Sequence, residues 1–131
     1  HVAGAGGGLT EMKKHMYRAR RRMTRVITEL SHALLMAGGQ EIDLHLSREE
    51  GGLRLHLEGD FQAEHQTAME RMAKLLQPLV RDPALVETYG ELTGEDQYTE
   101  QGEIALVGQM LDESRVVVEP GRVKMELYLA Y

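Results

Sequence analysis

The chain of 131 residues has no cysteine, no tryptophan and a single phenylalanine. Lacking cysteine, it can form no disulfide, iron–sulfur cluster, thiolate zinc site or cysteine nucleophile. Aromatic residues are 5% of the total, too few for the stacking platforms that hold sugars or single-stranded nucleic acid. No apolar run nears the roughly 18–20 residues of a membrane span, and no charged-then-apolar signal segment opens the chain. The expectation is a cytoplasmic protein without membrane insertion.

Hydrophobic residues make up 42% of the chain, enough for one core, and the length suits one domain. The net charge of −6 conceals a separation. Lys13, Lys14, Arg18, Arg20, Arg21, Arg22 and Arg25 face only Glu11 and Glu29 in the first forty residues. That front carries about +5, and the body from Glu41 onward about −11.

From Leu9 to Ala37 there is neither glycine nor proline. Apolar residues fall at Leu9, Met12, Met16, Ala19, Met23, Val26, Leu30, Ala33 and Ala37, in alternating steps of three and four, which is a heptad seam. Thr10 is placed to cap this helix and Gly38-Gly39 to end it. His1–Gly8 reads as a flexible leader outside a single domain spanning 9–131, and the abrupt ends read as those of a fragment. A helix over 9–37 would be roughly 43 Å long, longer than a domain of this size is wide. Part of it should project. Ile27 and Leu34 widen the apolar stripe only in the second half, so that half is expected to pack on the domain. The first half, with Met12, Met16, Ala19, Met23 and Val26 as its seam and Arg18, Arg22 and Arg25 beside it, is expected to meet a protein partner or a second copy.

Glu41–Ser47 and Leu53–Glu58 alternate strictly and are joined by Glu49-Glu50-Gly51-Gly52, a hairpin with one buried face. Ala63–Val80 has helical spacing, with Asp60 as its cap and Pro78 as a late breaker. Asp82–Gly102 reads as an acidic loop with a short helix at Ala84–Tyr89. Glu103–Leu111 reads as a short helix, and Arg115–Glu119 and Val123–Tyr131 as strands around a Glu119-Pro120-Gly121-Arg122 turn. The fold class is α+β, a two-layer sandwich of helices on an antiparallel or mixed sheet.

This order, with three of its stretches, resembles the ATPase domain shared by histidine kinases, anti-sigma-factor kinases, gyrase and mismatch-repair proteins. Ile27–Ala33 followed by Gly38–Ile42 is similar to the family's first helix running into its first hairpin. Leu53–Asp60 is similar to the strand that ends in an Asp-x-Gly motif. Gly102–Leu111, then Val118–Arg122, resembles the glycine-rich helix start, the following helix and the turn before the last strand. The resemblance spans nearly all of Thr24–Tyr131 and implies ATP with magnesium as the ancestral ligand, held by Glu29, Asp60 and Gly102.

Each box that would touch nucleotide departs from the family pattern. Glu29 fits the water-activating acid, but the magnesium-holding position four residues later is Ala33, which has no oxygen donor. Strand register puts the adenine-reading position on Gly59, so only a one-residue bulge would recover Asp60. Beside Gly102 stand Gln101 and Glu103, and a carboxylate there repels triphosphate. Val123 and Lys124 replace a glycine and a threonine in the last turn. The resemblance therefore implies the fold without its nucleotide and no cofactor, with ATP and magnesium as the alternative.

Two further constellations stand outside the resemblance. Closing the first hairpin on Glu50-Gly51 opposes His45 and His56, a two-ligand metal candidate without an evident third ligand; the alternative is a solvated cross-strand pair. The basic residues Lys13–Arg25 spread around their helix rather than forming a stripe, which favours a solvated surface attracted to an acidic protein over a nucleic-acid grip. The favoured function is a non-catalytic regulatory module of a bacterial-type signalling system that dimerises or docks through its N-terminal helix. Its rivals are an ATP-binding anti-sigma-type kinase or histidine phosphotransferase, and a basic-helix nucleic-acid binder.

Overall fold

A computed structural model describes residues 2–77 and 95–131 of the chain. Helix α1 (Val2–Met36) comes first, followed by the hairpin of β1 (Ile42–Glu49) and β2 (Gly52–Asp60). A 3-10 turn (Ala63–His65) leads into α2 (Gln66–Leu76). Helix α3 (Glu95–Met110) then precedes the hairpin of β3 (Glu113–Glu119) and β4 (Arg122–Ala130). The strands form one sheet in the order β1-β2-β4-β3, every neighbouring pair antiparallel. The fold is therefore α+β, with a long N-terminal helix and a four-stranded antiparallel sheet.

Both hairpins fold in the expected register. The two-residue connection Glu50-Gly51 leaves Glu49 paired with Gly52 and sets His45 opposite His56. Pro120-Gly121 joins Glu119 to Arg122, with Gly121 at φ +73°, as a turn with proline first and glycine second requires. Ladders on both sides of β2 pass Gly59 without a bulge, to Ile42 and to Val123.

One face of the sheet is apolar. Leu53, Leu55 and Leu57 of β2, Val123, Met125, Leu127 and Leu129 of β4, and Val116 of β3 are buried beneath the helices. Their partners in alternation, such as Arg54, His56, Lys124 and Glu126, lie on the opposite, solvated face. Helix α1 lies over β2 and reaches β4, α2 lies against β3, and α3 packs on α1 and α2.

Two expectations for α1 need correction, while its expected stop at Gly38-Gly39 is observed. The helix begins at Val2, so Gly8 and Thr10 are inside it and Thr10 is no cap. At the other end Gly38 stops it at φ +84°. There Gly39 N–H donates to the Leu34 carbonyl (2.9 Å) and Gly38 N–H to that of Leu35 (3.1 Å), the paired closure that glycine permits. Second, Ala19, Met23 and Val26, placed in the partner-facing half, are buried in the domain's own core. The heptad seam alone, without the widening by Ile27 and Leu34, is enough to cover the sheet, so packing begins about two turns earlier than the stripe width implies.

Strand β1 departs from expectation in the other direction. Its alternation is as read, but Leu44 and Leu46 are exposed and Ile42 only half-buried, because α1 lies over β2 and no other described element covers this edge. Helix α2 ends at Leu76, with Gln77 extended (φ −84°, ψ 144°), the conformation a following proline imposes. The expected continuation through Val80, the breaker Pro78, the helix Ala84–Tyr89 and the loop up to residue 94 lie outside the described residues. From Glu95 the chain is helical, which corrects the expected loop between Glu95 and Gly102.

Candidate functional site

Helix α3 is held at two points. Near its C-terminal end Gly108 lies against α2 so closely that a Cβ there would come within 2.5 Å of the Leu75 carbonyl oxygen. Nearer its N-terminal end Glu103 meets Arg25 of α1, Oε2 to Nη2 at 2.5 Å. Between the three helices lies a cavity of about 460 Å³. Helix α1 lines it with one i, i+3, i+4, i+7 stripe, Glu29, His32, Ala33 and Met36. Across it stand Ala68, Met69, Met72 and Leu75 of α2 and Ile104 of α3, with His65 and Glu103 adding polar groups.

The lining is mainly small side chains and methionines, which leave room and adapt to an occupant's shape. Its charge is acidic. Glu103 is matched by Arg25, whereas half-buried Glu29 has no hydrogen bond or ion pair among the described residues. Such a cavity accepts apolar or cationic groups more readily than phosphate.

Glu29 and Ala33, the pair matched to the family's acid and metal-holding positions, both line this cavity. Asp60 and Gly102 are not among the described residues that line it. The Asp60 carboxylate is committed elsewhere: Oδ1 accepts the backbone N–H groups of Glu41 and Gln40, each at 2.9 Å. Those two donors hold its carboxyl below the usual carboxylate range. Asp60 thus fastens the turn between α1 and β1, and it does not cap α2. The cap residue of α2 is His65, which makes no side-chain capping bond. Gly102 is inside α3, about two turns from its start, so its N–H is not one of the free donors of a helix N-terminus. Of the positions that the resemblance assigns to nucleotide and metal, Ala33 has no oxygen donor and the Asp60 carboxylate is engaged by backbone N–H groups, so these residues do not fit magnesium–ATP.

His45 and His56 face each other on the solvated side, ring centroids 6.3 Å apart. His56 Nε2 lies 3.6 Å from Glu126 Oε1. No group of three or more histidine, aspartate or glutamate side chains is gathered for a metal among the described residues.

The residues of α1 expected to meet a partner divide. Ala19, Met23 and Val26 belong to the core, and Arg25 is paired with Glu103. Met12 is 55% exposed and Met16 half-buried, while Arg18 and Arg22 are exposed without an ion-pair partner among the described residues. Nearby, Arg21 donates to the Tyr17 hydroxyl at 3.2 Å and stacks 5.9 Å from its ring. Among the described residues no helix is long and apolar enough to cross a membrane.

Sequence reasoning missed the Arg25–Glu103 pair, whose members are 78 positions apart. It also missed a cluster on the solvated face, where Arg54 meets Glu49 (2.7 Å), Glu126 (3.7 Å) and Glu113 (3.9 Å) over the Tyr128 ring. Its only signal was charge at outward-facing positions along the strands, with Glu49, Glu113 and Glu126 on three different strands from Arg54. Comparison with protein-family models, with curated proteins and with solved structures finds no match to this chain.

Proposed function

We propose that the chain is a non-catalytic regulatory domain, descended from a histidine-kinase-type ATPase fold, that docks on a signalling protein through the first half of α1. The observation that carries this reading is the exposed segment ahead of the core. Met12 and Tyr17 are about half exposed, and exposed Arg18, Arg20 and Arg22 stand beside them. Met12 and Met16 share one face of the helix, and beside them stand cations with no ion-pair partner among the described residues, which suits an amphipathic helix with acidic flanks. The loss of a nucleotide role is supported by Ala33 at the metal-holding position, by Asp60 bound to Glu41 and Gln40, and by Glu103 at the cavity.

The nucleotide-binding alternative, an anti-sigma-type kinase or phosphotransferase, has Glu29 on its side, since that acid lines the cavity without a partner among the described residues. Thermal unfolding with ATP and magnesium separates the two. A ligand at 100 times its Kd stabilises by about 2.7 kcal/mol, which raises the midpoint by several degrees. The expected result is no rise at millimolar ATP. A rise that Glu29→Gln removes would overturn the proposal in favour of nucleotide binding.

A further inference from the structure

The edge strand β1 has the alternation of a strand with one buried face, yet nothing described covers that face. Leu44 and Leu46 are 43% and 49% exposed, on the side of the sheet where β2 buries Leu55 and Leu57 directly opposite them. The other edge strand, β3, has Val116 and Val118 buried or half-buried on the face where α2 packs. Over its first five residues strand β1 lacks the devices that blunt an edge. It contains no proline, its ladder to β2 has no bulge from Ile42 to Glu49, and the one charge on its helix-facing side, Arg48, stands near its far end.

On the solvated face Asp43 is set opposite Glu58, a like charge. Glu58 is satisfied by Arg122 at 3.2 Å, whereas Asp43 has no ion pair or hydrogen bond to a cation among the described residues.

We propose that β1 is a self-association edge: two copies pair antiparallel through it, about a twofold axis at Leu44, into one eight-stranded sheet. The sequence of the strand selects this register. Directly opposed residues of antiparallel strands share a face, so only alignments that match faces are open. With the axis at Leu44, Leu44 meets its counterpart and Ile42 meets the second copy's Leu46, twice over. On the other face each Asp43 meets the second copy's His45, the complement it lacks within its own chain. Moving the axis to His45 sets Ile42 against Arg48 and Glu41 against Glu49. Moving it to Leu46 sets Leu44 against Arg48 and Asp43 against Glu49. Moving it to Asp43 opposes the two Asp43 carboxylates. Only the Leu44 register joins apolar to apolar and acid to imidazole throughout the centre.

The helices leave room for this pairing. Helix α1 lies over β2, so the two α1 axes would be separated by three strand spacings, about 14 Å, against 8–10 Å for helices in contact. The proposal is independent of the docking role of α1, because Met12 and Met16 take no part in it.

Sedimentation equilibrium from about 1 µM to about 1 mM tests it. The wild-type chain should form dimers, and Leu44→Lys should weaken the dimer at least about tenfold. Circular dichroism should be unchanged, since Leu44 is already exposed. The register is tested by charge exchange. D43K alone and H45D alone should each weaken the dimer, whereas D43K/H45D should restore it, because the introduced lysine then faces the introduced aspartate of the other copy. Within each chain those changes place opposite charge against Glu58 and leave His56 facing an acid, so neither threatens the fold. A wild-type chain that stays monomeric throughout the range overturns the proposal. So does a dimer indifferent to L44K, a dimer lost on M12D/M16D, or a double variant no stronger than its parents.

Discussion

Arg25 of α1 and Glu103 of α3 form an ion pair, 2.5 Å between Nη2 and Oε2, that ties together two helices bordering the cavity. One partner comes from the basic front of the chain and the other from its acidic body, so the charge separation along the sequence is partly closed within the molecule. The carboxylate that borders the cavity is also the one that holds α3 to α1.

Both side chains of this pair are more than a third exposed, 44% and 37%, so short geometry does not translate into a large stabilisation. A double-mutant cycle with Arg25→Ala and Glu103→Gln, followed by urea unfolding, should give a coupling below about 1 kcal/mol. The coupling should shrink further as salt is added. A value several times larger would mean that the pair is shielded from solvent.

Gly108 is the second point that holds α3. A methyl group there would meet the Leu75 carbonyl oxygen at 2.5 Å, backbone that cannot rotate away. Gly108→Ala should therefore destabilise by about 1–3 kcal/mol, even though alanine is the better helix former by up to about 1 kcal/mol. Urea unfolding checks the sign, and a stabilised variant would show that α2 and α3 are further apart than described.

The turn from α1 to β1 should titrate with Asp60. Because the Glu41 and Gln40 N–H groups lower its carboxyl in the folded state, the folded chain releases that proton more readily than the unfolded chain does. The stabilisation is then fully present above the ordinary carboxylate value, about 4, and is lost as pH falls through the lower folded value. Asp60→Asn should lower the thermal midpoint at neutral pH. The difference from wild type should stay constant down to about pH 5 and narrow below about pH 4. A difference independent of pH would remove the charge from this account.

The four strands, both hairpin registers and the C-terminal end of α1 were legible in the sequence because they depend on local signals. Alternation fixes which side of β2 holds Leu53, Leu55 and Leu57, Gly38-Gly39 stops α1, and Pro120-Gly121 turns the last hairpin. What was not legible depends on how far one layer reaches over another. The seam of α1 continues unchanged from Met12 to Met23, so nothing local marks where the sheet beneath it begins. Leu44 and Leu55 look alike in sequence, and only the placement of α1 over β2 leaves one exposed and buries the other. Asp60 has the sequence position of a base-reading or capping acid, and its bonds to the amides 19 and 20 residues earlier have no pattern in the sequence.

The boundary of packing along α1 gives the most direct test of the docking reading. Met23 is 1% exposed, so a carboxylate in its place loses the buried side chain and introduces an unpaired charge into the core. Met23→Asp should cost at least about 4 kcal/mol and leave the chain largely unfolded at 37 °C. Met12→Asp, one heptad and a half earlier, replaces an exposed side chain and should change stability by no more than about 0.5 kcal/mol, and the pair M12D/M16D only slightly more. If Met12 and Met16 serve a partner, M12D/M16D should keep the wild-type unfolding curve while abolishing binding to an amphipathic helix with acidic flanks. Arg18→Glu should weaken that binding chiefly through a slower association rate at low salt. A loss of stability in M12D/M16D comparable to that in M23D would mean that the first half of α1 belongs to the core and has no surface to offer.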